Sequence, residues 1–325
     1  MESKTVLVTG IGGNVGQGIL RNINSLQWPI KVVGCNVTEF SSGNYLCDVS
    51  YKVPYAFDEN YIAEINKIIT KENIDLIIPS TDYEVYHLAV NKDNIKAEVI
   101  VCDASVAQLF LDKYLTYKCF FENKIPFAKS WLPKEFDFSC ADYIAKPREG
   151  RGSRGILINP ETPQKLGDNY MIQPLHKGIE ITTAVYVNKK GKLHGLFSME
   201  RQLENGTTSQ TIVNNNYDFE FKNIAQKIID LGGIRGSFNL QSIVDENGTI
   251  FPFEVNGRIS GTNSIRHNLG FQDVKYLLQE YLYDQEPDTI APINGIATRI
   301  YLDIIYKDAT NFDDLNNKNS NPTLY

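Results

Sequence analysis

One carboxylate and three amides, at Asn239, Gln241, Glu254 and Asn256, are spaced so that a single hairpin would gather them. The turn Asp245-Glu246-Asn247-Gly248 lies between two apolar runs, and Asn-Gly in that setting is the strongest short-range hairpin signal. With Asn247-Gly248 at the centre of a two-residue loop, Gln241 faces Glu254 and Asn239 faces Asn256. Period-two alternation then puts all four side chains on one face. Directly opposed Cβ atoms lie about 4.5–5.5 Å apart. Such a hard-oxygen patch suits Mg²⁺ that takes one carboxylate from protein and completes its shell with phosphates and water. The spacing therefore predicts a metal–nucleotide site at Gln241, Glu254 and Asn256, against the plainer alternative of a solvated polar sheet face. A slip of one residue would scatter the set.

Two glycine-rich stretches compete for the nucleotide. Thr9-Gly10-Ile11-Gly12-Gly13-Asn14-Val15-Gly16 joins the strand Thr5-Val6-Leu7-Val8 to an apolar-periodic helix through Ile19, Leu20 and Ile23. Its spacing matches the TGxxGxxG turn of short-chain dehydrogenases, where a dinucleotide fingerprint belongs. The next strand, however, ends Gly34-Cys35-Asn36-Val37-Thr38, without the Asp or Glu that would bind a nicotinamide cofactor's ribose. A Tyr-x-x-x-Lys pair, Tyr114 and Lys118, lies early for that family. The helix N-terminus still suits an anion, which makes Gly12 and Asn14 candidates for a carboxylate substrate. The second stretch, Gly150-Arg151-Gly152-Ser153-Arg154-Gly155, joins two strands. Glycine backbone N–H groups can approach phosphates closely, and Lys146 on the preceding strand adds a point charge aimed at the same place. A basic solvated hairpin is the competing reading.

The elements that must position these residues follow from periodicity. Strand and helix alternate up to about residue 108: Ile30 to Val33, a helix from Tyr61 to Ile69, Leu76-Ile77-Ile78-Pro79, and Val99-Ile100-Val101. That pattern predicts a small parallel α/β layer. Further strands are expected at Tyr143 to Lys146, Ile156 to Ile158, Met171 to Gln173, Ile181 to Val187 and Gly295 to Tyr306, with a helix near Phe221 to Leu231. The Asn- and Asp-rich tail from Asp308 is expected to be poorly ordered.

The chain has 325 residues, 42% hydrophobic and 22% charged, enough for two or three domains. A formal net charge of −7 argues against a nucleic-acid partner. No run approaches a membrane span, and Met1-Glu2-Ser3-Lys4 has no signal-peptide layout. Five cysteines without CxxC pairing read as reduced thiols in a cytoplasmic protein. The four scattered histidines form no metal motif.

Taken in order, these motifs resemble the ATP-grasp superfamily, in particular single-copy proteins similar to the carbamoyl-phosphate synthase large subunit. Asp112-Lys113 resembles the pair that opens the ATP-grasp region, and Ile144-Ala145-Lys146-Pro147 the strand whose lysine reaches the α/β-phosphates. The stretch from Gly150 to Gly155, with Gly152 and Ser153, is similar to the phosphate-covering loop. Met171-Ile172-Gln173-Pro174-Leu175 resembles the hinge whose backbone reads adenine, and Gly178-Ile179-Glu180 the segment whose carboxylate binds ribose or adenine. Phe238 to Gln241 and Phe253 to Arg258 look like the two metal strands, and the resemblance independently assigns the metal to Gln241, Glu254 and Asn256. Departures are Gln173 where Glu is frequent, Ala184 where many relatives carry Asp, and Gly257 where Pro is usual. Only one ATP-grasp unit is present, without a glutamine-hydrolysing unit, which sets carbamoyl phosphate synthesis in doubt.

The implied fold is α/β, α+β overall: a Rossmann-like parallel layer over 1–110, a two-lobed ATP-grasp domain with antiparallel sheets over 111–290 (lid about 116–175), and a strand with a polar tail over 291–325. The implied chemistry is ATP-dependent activation of a small carboxylate as an acyl phosphate, then displacement of phosphate by an amine. The cofactors are ATP with Mg²⁺, Mn²⁺ being the alternative ion. Lys113 and Lys146 would hold the α/β side, and Arg258 the γ-phosphate and acyl phosphate. Arg201 and Ser209 lie where relatives position substrate. Specificity is expected from Ser80-Thr81-Asp82-Tyr83-Glu84 and Ser260-Gly261-Thr262-Asn263, and no general base is identifiable. A homodimer is compatible with this reading. Three alternatives stand beside it: an NAD(P)-dependent oxidoreductase on Gly10 to Gly16, a non-catalytic ATP-binding protein, and a carbamoyl-phosphate-type activity.

Overall fold

The computed structural model describes the whole chain except Arg151, Asp308, Asp313, Asp314 and residues 316–319. Arg151 of the second glycine stretch and part of the tail from Asp308 therefore lie outside the described residues. The first layer is a five-stranded, all-parallel sheet. Its strands are β1 (Lys4–Val8), β2 (Ile30–Asn36), β3 (Val49–Lys52), β4 (Leu76–Ile78) and β5 (Glu98–Val99), in the order β3-β2-β1-β4-β5. Helix α1 (Asn14–Ser25) follows β1, α2 (Tyr61–Glu72) precedes β4, and α3 (Asp82–Val90) follows it. The strand order reverses between β1 and β4. Ligands of open α/β sheets bind at such a reversal, outside the carboxyl ends of the strands. Strand β3 lacks a clean apolar run, which is why periodicity does not reveal it, and the expected strand at Val99 to Val101 stops at Val99.

After α4 (Ala104–Leu111) and α5 (Lys113–Glu122) comes a three-stranded antiparallel sheet of β6 (Tyr143–Pro147), β7 (Leu157–Ile158) and β8 (Tyr170–Pro174), in the order β7-β6-β8. Its core is small: Trp131, Phe136, Tyr143, Ala145 and Ile172. A six-stranded sheet follows, built from β9 (Ile179–Val187), β10 (Leu193–Glu204), β11 (Thr207–Val213), β12 (Gly236–Val244) and β13 (Ile250–Asn256), with helix α6 (Asp218–Ile229) between β11 and β12. The chain then forms α7 (Asn263–Asn268) and α8 (Asp273–Leu277). Strand β14 (Ile296–Thr298) pairs with β11 at the sheet edge, and β15 (Ile304–Ile305) pairs with β16 (Thr323–Leu324). The single strand expected from Gly295 to Tyr306 is therefore two short ones, each with its own partner. Strands β10 and β11 give no periodic signal in the sequence, because their polar residues interrupt the apolar alternation.

One face of the six-stranded sheet packs Val185, Phe238 and Leu240 against Phe221, Ile224 and Ile228 of α6. The opposite face sends Ala184, Tyr186, Phe197 and Met199 into the same core as Val6, Ile19 and Leu20 of the first layer. The two layers are thus cemented by one apolar cluster. The polar end of this second face faces the carboxyl ends of β1 and β4. Among the described residues no helix is long and apolar enough to cross a membrane.

Candidate functional site

The β12–β13 hairpin has the expected pairing where it matters: Gln241 opposite Glu254 and Asn239 opposite Asn256. It reaches that register by another route. The turn is a three-residue loop, Glu246-Asn247-Gly248, closed by an Asp245 N–H to Thr249 carbonyl bond of 3.1 Å, with Gly248 at φ +78°. A type I turn followed by a left-handed residue is the standard three-residue hairpin, and Asp245 Oδ1 stabilises it by accepting from the Asn247 and Thr249 N–H groups. This shifts the register by one, so that Val244 faces Ile250 rather than Phe251. A β-bulge between Gln241 and Ser242 shifts it back, leaving Phe253 as the extra residue. The freed Phe253 carbonyl accepts a hydrogen bond from Lys146 Nζ at 3.1 Å, and the same ammonium lies 5.1 Å from the Phe253 ring centroid. The bulge thereby both restores the carboxylate's register and anchors the lysine.

The polar side chains form one continuous chain across the sheet. Glu180 Oε1 accepts from Arg201 Nε at 2.9 Å, and Arg201 also donates to Gln241 Oε1 at 2.6 Å. Gln241 Nε2 donates to Asn256 Oδ1 at 3.0 Å, and Asn256 Nδ2 to Glu254 Oε1 at 3.0 Å. Lys113 Nζ lies 3.7 Å from Glu254 Oε1 and donates to the Gly150 carbonyl at 3.1 Å. Asn239 sits beside this chain, its Oδ1 accepting from Thr182 Oγ1 at 2.9 Å. Lys113 is aimed by Asp112, which caps α5 through the Tyr114 and Leu115 N–H groups and grips Arg148. Ile144 shares the cleft face of β6 with Lys146 by period-two alternation. Arg258, just past β13, donates through NH2 to Asp82 Oδ2 at 2.7 Å and through NH1 to the Ile259 carbonyl, while its Nε is buried without a partner.

Burial sets the electrostatics. Lys146 is 5% exposed. Desolvation, helped by the nearby Lys113 charge and opposed by Glu254, brings its ammonium down to about 7. Burial alone would push the Glu254 carboxyl up, but Lys113, Lys146, the Asn256 amide and Arg258 outweigh it and hold it below the ordinary range. A polyphosphate beside Lys146 favours its charged form, so nucleotide binding is expected to take up protons near neutral pH, and affinity to fall as pH rises above about 7. Calorimetry in buffers of different ionisation enthalpy measures this directly. Lys146→Ala should abolish the uptake and weaken nucleotide affinity; wild-type affinity in that variant would remove Lys146 from the site.

Other expected residues sit at varying distances from this cluster. The loop at Gly150, Gly152, Ser153 and Gly155 touches the β10–β11 turn: a Cβ on Gly206 would lie 2.3 Å from the Gly152 carbonyl oxygen. Gln173 is buried and donates to Ser130 Oγ at 2.9 Å, so its side chain braces β8. The Leu175 N–H donates to the Asp142 carbonyl at 3.0 Å, and the Pro174 carbonyl accepts from the His176 N–H. A base pairing there would exchange those bonds. Ser209 lies at the β10–β11 bulge and donates to the Gln202 carbonyl at 3.2 Å, apart from the Arg201 chain. Gly12 lies against the Asn36 amide, and Asn14 against Gly261, where a Cβ would come within 2.9 Å. Tyr114 of the Tyr-x-x-x-Lys pair donates to Glu135 Oε2 at 3.0 Å, so its hydroxyl is engaged within the fold. The contact that sequence reasoning missed is Asp82 with Arg258. No local pattern signals it, because 176 residues separate the pair.

The donor set decides which metal fits. Among the described residues no group of three or more His, Cys, Asp and Glu could hold an ion unaided. Glu254 with the amides of Gln241 and Asn256 fits a hard cation whose shell is completed by phosphate and water, and no other kind.

Residues 6–102 match the family model of the PylC-like N-terminal domain, and residues 110–262 that of the ATP-grasp domain. No curated protein matches the sequence. Among solved structures, N5-carboxyaminoimidazole synthetase from Staphylococcus aureus, complexed with ADP, superposes with a TM-score of 0.75 over 95% of this chain and 84% of its own, at 17% identity. The biotin carboxylase–β,γ-ATP complex from Campylobacter jejuni gives 0.71 over 96% and 78%, at 17% identity. The biotin carboxylase domain of Hydrogenobacter thermophilus 2-oxoglutarate carboxylase, with MgADP and bicarbonate, gives 0.72 over 91% and 74%, at 15% identity. At these identities the likeness is one of fold. With its ATP-grasp model covering the very strands that carry Lys146, Glu180, Gln241, Glu254 and Asn256, the chain carries an ATP-grasp domain behind a PylC-like N-terminal domain.

Proposed function

We propose that the protein is an ATP-dependent ligase that activates a small carboxylate as an acyl phosphate and joins it to a nitrogen nucleophile, releasing ADP and phosphate. The observation that carries this reading is the convergence of Lys113, Lys146 and Arg258 on one carboxylate–amide patch at the mouth of the first layer. Lys113 and Lys146 hold the α/β-phosphates, with Ile144, Gln173, Pro174 and Leu175 around the base and Glu180 toward the ribose. Gly150, Gly152, Ser153 and Gly155 cover the phosphates and exclude water, which an acyl phosphate requires. Gln241, Glu254 and Asn256 hold Mg²⁺, which when bound neutralises charge on the phosphates. Arg258 presents a planar fork to the acyl phosphate. Arg201, Gly12 and Asn14 border the acid's path, with Ser209 farther out. The solved structures hold ADP, MgADP or β,γ-ATP, and one also holds bicarbonate, which supports a nucleotide and a small acid as ligands. The proposed division is 1–110, 111–290 and 291–325, with β14 tying the third part to the second. A homodimer is the proposed assembly, the H. thermophilus domain being described as a dimer, and a cytoplasmic location rests on cysteine usage.

Two measurements test this. ATP–Mg²⁺ should raise the melting midpoint by mass action, EDTA should cancel the rise, and NAD(H) or NADP(H) should produce none. Incubation with ATP–Mg²⁺, hydroxylamine and a series of amino acids and small mono- and dicarboxylates should yield a hydroxamate and stoichiometric ADP with one acid class. Absence of both products across the series would overturn the ligase reading.

A further inference from the structure

The ligase reading leaves one chemical role unfilled: something must hold the incoming ammonium and take its proton. Most carboxylates of the site are spoken for. Glu254 faces Lys113 and Asn256, and Glu180 is gripped by Arg201. Asp112 caps α5 and binds Arg148. Glu84 is 8% exposed and closes the capping box of α3 with Thr81. Asp82 is different. It is the first residue of α3, at the carboxyl end of β4, beside the reversal in strand order. It meets Arg258 at 2.7 Å with both side chains largely buried, at 16% and 13% exposure.

An acid beside the arginine that receives an acyl phosphate would repel that anion if it stayed uncompensated. A cationic second substrate removes the conflict: the anion takes Arg258, and the ammonium takes Asp82. Arg258 has a donor to spare for the exchange, since its Nε is buried without a partner.

On the ligase reading, we infer that Asp82 is the subsite for the ammonium group of a primary-amine substrate and accepts its proton. The ammonium gives one proton to the Asp82 carboxylate. The freed nitrogen lone pair attacks the acyl carbon, the C–N bond forms, and the C–O bond to phosphate breaks. Phosphate leaves with that electron pair beside Arg258 and takes the second nitrogen proton, and Asp82 returns the first to solvent.

The experiment compares two nucleophiles on the acid that the wild type converts to a hydroxamate. Hydroxylamine is uncharged at about pH 7 and needs no proton acceptor; ammonia, amino acids and short diamines do. In Asp82→Asn, amide formation should fall by about 100-fold or more, and hydroxamate formation by less than about tenfold, with Asp82→Glu recovering part of the amide rate. Equal losses with both nucleophiles would make Asp82 only a brace for Arg258 and overturn the assignment, as would wild-type rates with both. A wild type that passes its acyl group to hydroxylamine but to no amine also overturns it. A wild type that makes no hydroxamate from any acid overturns the ligase reading, and the assignment with it.

Discussion

Glu254→Ala is expected to abolish Mg²⁺-dependent ATP turnover, by about 10³-fold or more, with the fold retained. The magnitude follows from its position: it is the only carboxylate of the trio with Gln241 and Asn256, and its Oε1 is held by Asn256 and faces Lys113. Breaking a buried ion pair ordinarily costs about 3–5 kcal/mol, because a charge is stranded. The ion pair lost here is with Lys113, 3.7 Å from Glu254 Oε1 with its side chain 8% exposed, so a cost of that order is expected from the stranded Lys113, while Lys146, whose proton already leaves at about 7, adds less. Glu254→Gln, which keeps shape and removes charge, should lose turnover nearly as completely. ADP release in a coupled assay, alongside a circular-dichroism melt, measures both effects; unchanged turnover would refute the metal assignment.

Arg258→Ala should lower kcat by about 10²- to 10³-fold, while the Kd for ATP–Mg²⁺ changes only a few-fold. The split follows from what touches what. Lys113 donates to Gly150 of the glycine loop and Lys146 to Phe253 of β13, whereas Arg258 reaches across to Asp82 in the first layer. Arg258→Lys should recover little, since a point charge cannot present two donors in a plane. Calorimetric Kd values set beside turnover numbers decide the matter. A loss in affinity equal to the loss in kcat would make Arg258 a nucleotide-binding cation and move the acyl site elsewhere.

The sequence by itself determined four of the five strands of the first layer and the cross-strand pairing of the polar patch. Apolar runs at Val6 to Val8 and Leu76 to Ile78, and helical spacing through Ile19 and Ile23, are local signals, and burial on both faces leaves them no alternative. The pairing of Gln241 with Glu254 was legible because hairpin register depends on a few adjacent residues. Even so, the expected two-residue loop is absent. A three-residue loop and a bulge at Phe253 offset one another, and only the folded strand shows that the bulge frees a carbonyl for Lys146.

What the tertiary structure decided is which distant groups share a charge. Arg201 on β10 bridges Glu180 and Gln241 because antiparallel neighbours set these side chains on one face, and β10 itself gave no periodic signal. The titration of Lys146 near 7 is a property of its enclosure by β13 and Lys113, not of its neighbours in sequence. The Asp82–Arg258 contact joins the end of β4 to the end of β13 across the core shared by the two layers. Periodicity reports which face of an element is buried; it does not report which other element covers that face. The polar residues of the candidate site were therefore named by the strands, and their partners only by the packing of one element on another.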